Sequence, residues 1–267
     1  MLLSIGISTV LKNKDRAIEL ALSLEPFIDL GLIHEIVILC QLDEFERLEE
    51  IKNNIYFYSS LDSGLSKSRN FIKDKLTADF VWLLDDDVIV GEKELRTIHK
   101  CIEDNINSDI VIGQIYCSDK DQYYKNNMKR SGISGLLKAS SIEIISRRSF
   151  LVNNDIRYRE SFGVGAIYPC GEENYFLIEA KNRGAREKFV DEVFVFHPCN
   201  NTESRLDYFG SKECLIPKVA LCHELPMFYS MKYGLKVILK LVLLRRFSLM
   251  TFFVFSLLFS PLKDKTL

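Results

Sequence analysis

An apolar run that ends in three carboxylates constrains this chain more than any other feature. Residues 80–84 are uninterrupted apolar side chains, and Asp85, Asp86 and Asp87 follow directly. Such a run is typical of a central strand that is buried on both faces of a parallel sheet. Open α/β sheets bind their ligands at the carboxyl ends of the strands, so the three acids are predicted at a ligand site. Because side chains alternate along a strand, Asp85 and Asp87 should face one way and Asp86 the other.

Three adjacent negative charges repel one another and need a compensating cation. Oxygen ligands of this kind suit a hard divalent metal, and such a metal commonly holds a phosphate. The acids therefore predict an Mg²⁺ or Mn²⁺ site with a phosphate-bearing ligand.

The composition narrows the class of protein. The 267 residues are 47% apolar and 27% charged, as in a globular protein with one large or two small domains. A net charge of −2 gives no reason to expect a nucleic-acid partner. The seven cysteines have no CxxC spacing, which favours reduced cytosolic thiols over disulfides or a zinc site. The N-terminal residues lack a basic segment before their apolar stretch, which favours a first strand over a signal peptide.

Strands and helices are predicted to alternate over the first half of the chain. The predicted strands are 2–9, 36–40, 55–58, 80–84 and 110–116, and the predicted helices are 13–24, 66–76 and 92–104. This alternation implies right-handed βαβ units and a mostly parallel sheet. The second half is less regular, with a polar loop, a glycine-bearing turn, a helix and a strand predicted at 118–138, 161–171, 172–181 and 193–196.

The C-terminal tail differs from the remaining chain in charge. Residues 228–267 contain seven basic side chains and one acidic side chain, whereas the preceding residues are net acidic. Residues 247–260 carry no charge, and as a helix they would cover about 21 Å, less than a bilayer core of about 30 Å. The tail is therefore predicted to lie on an anionic membrane surface as an amphipathic helix. The alternative is a helix that packs on the main domain or on a dimer partner.

A specific family resemblance begins at Gly64-Leu-Ser-Lys-Ser-Arg69-Asn70. This segment precedes the three aspartates by fifteen residues and resembles the corresponding motif of family 2 of the nucleotide-sugar glycosyltransferases. The segments around Gly165, Glu172 and His197 resemble later motifs of the same family, so the resemblance covers about residues 1–205. It implies the GT-A fold, a Rossmann-like α/β sheet flanked by helices. The basic, apolar tail resembles bacterial members that act on lipid-linked acceptors.

The resemblance also implies a domain organisation and a set of site residues. A glycosyltransferase domain would span residues 1–218, with a donor half over 1–117 and an acceptor half over 118–218, and the membrane-associating tail would span 219–267. The metal would be Mn²⁺ or Mg²⁺, and the donor a nucleotide diphosphate sugar. The expected metal ligands are Asp87, Asp85 and His197. The expected donor-binding residues are Gly64, Ser68, Arg69, Asn70, Asp85 and Asp86. Ser8 and Thr9 are expected to contact the nucleotide as well, on their position at the end of the first strand alone.

The acceptor hydroxyl needs a base, and two acids are candidates. Glu172 and Glu173 are predicted to begin a helix, and a helix N-terminus favours the ionised carboxylate that a base requires. The resemblance implies a single-displacement, inverting transfer. We favour Glu173 as the base, and Glu172 stays open as the alternative.

One departure from the family concerns the nucleotide base. Many relatives have Asp-Gly-Ser after the second strand, whereas this chain has Leu-Cys-Gln-Leu-Asp at 39–43. Gln41 or Asp43 would have to take the place of the family's aspartate, so the identity of the nucleotide is left open.

The leading hypothesis is a metal-dependent transferase of bacterial surface polysaccharide assembly, peripheral at the cytoplasmic membrane face. Its acceptor would be a glycan or a lipid-linked glycan. A phosphotransferase of the haloacid-dehalogenase type is less favoured, since those sites need threonine where this chain has Ile89. A non-catalytic, membrane-docked scaffold is the third hypothesis. The sugar, the acceptor hydroxyl, the linkage and a homo-oligomeric state are left open by the sequence.

Overall fold

Strands and helices alternate through the first half of the chain. The computed structural model describes residues 1–41, 48–124, 130–198 and 207–259. The strands are β1 (Leu3–Val10), β2 (Glu35–Gln41), β3 (Leu48–Lys52), β4 (Ile55–Ser60), β5 (Phe80–Asp85), β6 (Ile110–Cys117), β7 (Gln122–Tyr123), β8 (Ile144–Arg147) and β9 (Glu187–His197). The helices are α1 (Lys14–Leu24), α2 (Pro26–Asp29), α3 (Leu65–Lys75), α4 (Glu92–Asp104), α5 (Gly132–Leu136), α6 (Arg148–Asn153), α7 (Glu172–Asn182), α8 (Lys212–Glu224), α9 (Met227–Leu243) and α10 (Phe247–Phe259).

The described strands form one nine-stranded sheet in the order β3-β4-β2-β1-β5-β8-β6-β7, with β9 beside β6. β4, β2, β1 and β5 are parallel neighbours, and β6 is parallel to β9. β8 is antiparallel between β5 and β6, and the edge strands β3 and β7 are also antiparallel. The predicted α/β class with a mostly parallel sheet and flanking helices is therefore confirmed.

Strand β5 is buried on both faces, which explains its continuous apolar sequence. Phe80, Trp82 and Leu84 pack into the core on one side of the sheet, and Val81 and Leu83 pack into the core on the other side. The Trp82 indole is fully buried, and its N–H donates to a backbone carbonyl 2.8 Å away. A buried strand of this kind fixes the position of the acids that follow it.

The predicted segments of the second half are longer or more structured than expected. The strand predicted at 193–196 is β9, which begins six residues earlier at Glu187. The loop predicted at 118–138 contains β7 and α5, and its residues 125–129 lie outside the described residues. The sequence also gave no indication of β3, β8 or α6.

The C-terminal helices α8, α9 and α10 pack together around a core of their own. Leu215 and Val219 of α8 contact Val237 and Leu241 of α9 and Phe253 of α10 in this core. Other residues of α8, including Leu221, belong instead to the core under the sheet. Helix α8 therefore joins the sheet domain to the last two helices, and the predicted division between residues 218 and 219 falls within it.

Among the described residues, no helix combines the length and the apolar character needed to cross a membrane.

The cysteines were expected to be reduced thiols, and this holds for five of those that the structure describes but not for a sixth. Cys40, Cys101, Cys170, Cys214 and Cys222 have free thiols and are buried. Cys117 is disulfide-bonded, so the expectation is wrong for that residue. The seventh cysteine, Cys199, lies outside the described residues.

Candidate functional site

The carboxyl ends of β1, β2 and β5 meet at one edge of the sheet. In the strand register, Ser8 of β1 lies opposite Leu39 on one side and Asp85 on the other. Ser8 Oγ is buried and has no hydrogen-bond partner among the described residues. Because buried hydroxyl groups are nearly always hydrogen-bonded, a ligand bound at this edge would satisfy it.

The three aspartates after β5 have different partners. Asp86 is buried and accepts hydrogen bonds from Thr9 Oγ1 and from the Arg16 guanidinium. Asp85 Oδ1 lies 3.2 Å from an Nη atom of Arg69, on α3. Asp86 is thus held against β1 and α1, whereas its neighbour Asp85 contacts α3.

Asp87 is paired with His197, at the end of β9. The distance from Asp87 Oδ1 to His197 Nε2 is 3.2 Å. The hydrogen bond that His197 donates to Asp87 and the charge of the nearby Asp85 carboxylate raise the pKa of His197, against the effect of burial. Desolvation raises the pKa of Asp85, and Asp87 adds to this rise while Arg69 opposes it. Asp85 and Asp87 therefore both favour the protonated form of His197.

Arg69 connects the acids after β5 with the acids at the start of α7. Its side chain is only 4% exposed, and its guanidinium lies 3.2 Å from Asp85 and 3.3 Å from Glu172 Oε1. It also donates to Ser141 Oγ at 2.7 Å and faces the Tyr158 ring. Burial lowers the pKa of Arg69, but the two carboxylates outweigh it, so the pKa is raised. Arg69 is therefore a permanent cation between two acidic groups.

Other residues of the Gly64–Asn70 motif make hydrogen bonds with neighbouring segments of the protein. Asn70 exchanges two hydrogen bonds of 2.8 Å with the backbone of Tyr158, so its amide holds the segment that follows α6. Gln41, at the end of β2, donates to Ser68 Oγ at 2.8 Å and accepts from Gly64 N at 3.2 Å. Asn70, Ser68 and Gly64 thus have protein partners. Asp43, the other candidate for the nucleotide base, lies outside the described residues.

The glycine-bearing turn at 161–171 packs on the start of α3. Leu65 N donates to the Val164 carbonyl at 2.9 Å, and Ser66 Oγ donates to the Phe162 carbonyl at 2.6 Å. Gly171 ends the turn with φ +91°, and a Cβ there would lie 2.9 Å from Pro217 Cβ. A side chain at Gly171 is therefore excluded both by conformation and by space. This residue directs the chain into α7, where the two glutamates lie.

Glu172 and Glu173 begin α7, as predicted, but their environments differ. Glu172 is buried against Arg69, whereas Glu173 is partly exposed. Burial and the neighbouring Glu173 raise the pKa of Glu172, and Arg69 only partly opposes them. The backbone N–H at the start of α7 favours the ionised form of Glu172, as expected of a helix N-terminus, while burial of the side chain opposes it.

Both glutamates line a cavity of about 270 Å³ between the turn, α7 and α8. Tyr208, Lys218 and Tyr233 also line it. This cavity lies at the start of α7 and includes side chains of α8 and α9 in its wall.

The donors suit a divalent metal, although they do not form a protein-only site. Asp85 and Asp87 offer carboxylate oxygens, and His197 offers an imidazole nitrogen. Among the described residues, no three acidic, histidine or cysteine side chains are spaced to hold a metal by themselves. Mg²⁺ normally binds one or two carboxylates together with substrate phosphates, so the residues present fit a metal that arrives with a diphosphate.

Sequence patterns missed several residues of the site, because their contacts join distant parts of the chain. The Arg16–Asp86 pair spans 70 positions and the Arg69–Ser141 hydrogen bond spans 72. Lys218 lies in α8, outside every motif. For Arg16 alone, the sequence contains a signal of its place in the site. Arg16 lies in the first turn of the helix that follows β1, and this helix begins at the sheet edge where β1 ends.

Solved structures with a similar fold include three of S. aureus TarS. The structure of TarS residues 1–349 has a TM-score of 0.62 and 15% identity, over 87% of this chain and 69% of that chain. The complex with UDP-GlcNAc has a TM-score of 0.60 and 16% identity, over 87% and 70%. The complex with UDP has a TM-score of 0.56 and 16% identity, over 100% and 76%.

Neither a protein-family model nor a curated protein sequence matches the chain. The structural likeness identifies the fold as that of GT-A glycosyltransferases. Membership of family 2 stays a prediction, because identities of 15–16% support the fold alone.

Proposed function

We propose that this protein is a metal-dependent, inverting glycosyltransferase that uses a nucleotide diphosphate sugar. The observation that carries the proposal is the chain of ion pairs from Asp85 through Arg69 to Glu172. It joins the acids after β5 to the acids of α7, so a donor and an acceptor can lie on either side of one buried cation. The GT-A fold supports the same conclusion, and TarS, which shares it, was crystallised with UDP-GlcNAc and with UDP.

The donor would bind at the sheet edge formed by β1, β2 and β5. Ser8 and Thr9 lie near the end of β1, where Ser8 pairs with Asp85 and Thr9 donates to Asp86. Gly64, Ser68 and Asn70 would contact the donor from the start of α3. Asp87, with Asp85 and His197, would hold Mn²⁺ or Mg²⁺ together with the diphosphate. A bound metal supplies positive charge that stabilises the leaving diphosphate. Arg69 adds a fixed cation to the same site.

The acceptor would bind in the cavity beside Glu173. Its hydroxyl oxygen attacks the anomeric carbon on the face opposite the diphosphate, so that the glycosidic bond forms as the bond to the diphosphate breaks. The hydroxyl proton passes to Glu173, which is the more exposed of the two acids. One displacement at the anomeric carbon inverts its configuration. Glu172, buried against Arg69, would position that cation.

The C-terminal helices would place the enzyme at the cytoplasmic face of a membrane. Helix α9 exposes Met231, Leu235, Leu239 and Leu243 at intervals of four residues, so these side chains share one face. Lys232, Lys236 and Lys240 form a row beside them. An apolar stripe next to lysines suits an anionic bilayer surface. A lipid-linked glycan of surface polysaccharide assembly is the acceptor that such a location favours.

The test measures donor binding and turnover. Thermal unfolding with UDP-, GDP- and dTDP-sugars and Mn²⁺ should identify the donor, because a ligand that binds the folded state stabilises it. With that donor, Asp87→Ala should lower metal-dependent sugar transfer or donor hydrolysis by roughly 100-fold or more, since it removes charge stabilisation of the leaving group.

The matched control for this test is Asp104→Ala, which removes an exposed carboxylate at the end of α4. It should retain full activity. Equal turnover in Asp87→Ala and the unchanged protein would overturn the metal assignment. A failure of every nucleotide sugar and nucleotide diphosphate to bind would favour the non-catalytic scaffold instead.

A further inference from the structure

Gln41 is the last residue of β2, and the start of α3 binds both ends of its side-chain amide. Its Nε2 donates to Ser68 Oγ at 2.8 Å, and its Oε1 accepts from the backbone N–H of Gly64 at 3.2 Å. A backbone N–H can only donate, so the amide oxygen faces Gly64 and the amide nitrogen faces Ser68. The orientation of the Gln41 side chain is therefore fixed by α3.

The start of α3 depends on contacts with other segments. Gly64 precedes the first turn of the helix with φ +121°, a conformation that favours glycine. Because a glycine has no side chain that could cap the helix, Gln41 supplies the side-chain contact at this end. Hydrogen bonds to the turn at 161–171 hold the helix from the other side. Gln41 thus ties the end of β2 to the turn of α3 that precedes Arg69.

The contact with Gln41 also limits where the Ser68 hydroxyl can point. Ser68 is 1% exposed, and its Oγ uses one lone pair to accept from Gln41. None of the hydrogen bonds among the described residues uses the hydrogen of this hydroxyl. Since buried polar groups are nearly always hydrogen-bonded, this hydrogen is available to an acceptor atom of a ligand.

The Ser8 hydroxyl lies on the same face of the sheet. Ser8 is opposite Asp85 in the strand register, and Asp85 contacts Arg69 of α3. On its other side Ser8 is opposite Leu39, two residues before Gln41. Side chains at these positions point to one face, so Ser8 and Gln41 both point toward α3. The buried Ser8 Oγ, which has no partner among the described residues, is a second hydroxyl available to a ligand there.

We propose that Gln41 is a positioning residue for the diphosphate of the donor, and that it does not recognise the nucleotide base. This inference rests on the proposed function. Gln41 holds the start of α3 so that the Ser68 hydroxyl donates to a phosphate oxygen, with Ser8 as a second donor. Arg69 adds positive charge beside them, and charged acceptors form the stronger hydrogen bonds. To turn toward a base, the amide would have to give up both of its contacts with α3.

The experiment measures the affinity of the full chain for UDP, GDP and inorganic diphosphate by calorimetry in the presence of Mg²⁺. Gln41→Met should weaken the binding of all three probes by a common factor of about tenfold, because two hydrogen bonds that hold the start of α3 are lost. The ratio of the UDP and GDP affinities should stay unchanged. If Gln41→Met does not fold, Gln41→Asn provides the same test, since its side chain is one methylene shorter and cannot reach both partners.

A double-mutant cycle determines whether Gln41 acts through Ser68. Ser68→Ala should weaken the binding of the same three probes, because it removes a hydrogen-bond donor. Adding Gln41→Met to Ser68→Ala should then cost less affinity than Gln41→Met costs alone, since the two changes affect one interaction. Equal effects of Gln41→Met in both backgrounds would contradict the positioning role.

The matched control is Asn105→Leu. Asn105 follows the last turn of α4 and donates to the Cys101 carbonyl at 2.8 Å, so this variant also removes a side-chain hydrogen bond at a helix end. Helix α4 begins after the three aspartates, and Asn105 lies at its other end. Asn105→Leu should lower the melting temperature and leave all three affinities unchanged.

The outcomes separate this inference from the proposed function. Equal affinities in Gln41→Met and the unchanged protein overturn the inference alone. So does a changed ratio of the UDP and GDP affinities with an unchanged affinity for inorganic diphosphate, because Gln41 would then recognise the base. If the unchanged protein binds none of the three probes, the donor site and the inference both fail. If binding depends on Gln41 but no nucleotide sugar is turned over, the inference stands and the proposed reaction fails.

Discussion

Arg69 is a buried cation whose loss should lower the stability of the fold. Its side chain and that of Glu172 are 4% and 8% exposed, so the pair is withdrawn from water. Arg69→Met would leave Glu172 without its cation, and the loss of one partner of a buried ion pair destabilises a protein by about 3–5 kcal/mol. Equilibrium denaturation in urea measures this change.

A second substitution distinguishes charge from packing. Arg69→Met combined with Glu172→Gln should recover part of the lost free energy of unfolding, because no uncompensated carboxylate is left in that pair. Strict additivity of the two single effects would contradict a direct interaction between them.

The two glutamates of α7 should respond differently to loss of charge. Glu173→Gln should lower kcat by about 10²–10⁴-fold with little change in KM for the donor, as expected for a lost general base. Glu172→Gln keeps the shape of a buried side chain and should lower kcat much less. Steady-state kinetics of both variants at one pH provides the measurement, and the reverse order would assign the base to Glu172.

At the scale of elements, the strength of the local sequence signal decided what was predictable. β5 and α4 were predicted almost to the residue, because a continuous apolar run and a clear helical stripe each specify one structure. β8 was missed because only Ile144 and Ile145 mark it, and its position between β5 and β6 depends on pairing with residues more than 30 positions away. β3, with its charged residues, gave no apolar run at all.

The residues of the candidate site were likewise predictable only where the local sequence signal is strong. The acids after β5 and at the start of α7 were recognised from short motifs. Their partners were not, since Arg16, Ser141 and Tyr158 reach the site only after the chain has folded. The burial that separates Glu172 from Glu173 is also tertiary, and no spacing along the chain encodes it.

A pH-dependent ion pair joins the residues that directly precede β6 and β9. Asp109 accepts hydrogen bonds of 3.0 Å from both the backbone N–H and Nε of Arg186. Desolvation raises the pKa of Asp109, but these hydrogen bonds outweigh desolvation and hold the pKa below its ordinary value of 3.8. The folded state therefore releases this proton more readily than the unfolded chain does, so the contact stabilises the fold above pH 3.8 and loses this effect as the pH falls below it.

Asp109→Asn should consequently lower the free energy of unfolding at pH 7 by about 1–3 kcal/mol. The difference from the unchanged protein should shrink as the pH falls below 3.8. Denaturation at a series of pH values measures it, and a difference that does not depend on pH would show that the charge of Asp109 is irrelevant.

At the scale of the whole molecule, the sheet domain that carries the candidate site is packed against the C-terminal helices through α8. Helix α8 contributes to the core under the sheet and to the core with α9 and α10, so it couples the two parts. Its Lys218 lines the cavity of Glu173, and the next helix carries the exposed apolar stripe. An acceptor held at a membrane surface would therefore lie close to the proposed base.

Membrane binding by α9 can be tested separately from catalysis. Co-sedimentation with phosphatidylglycerol vesicles should capture the protein, and phosphatidylcholine vesicles should capture less of it, because each lysine near an anionic surface contributes about 1 kcal/mol. Leu239→Asp with Leu243→Asp should abolish binding, since both side chains are more than half exposed on the apolar stripe and would enter the interface. Ile106→Asp, at an exposed apolar residue outside this stripe, is the matched control and should bind normally. Donor hydrolysis in solution should be unaffected in both variants. Equal sedimentation of the α9 variant and the control would mean that this stripe has another partner, such as a second copy of the chain.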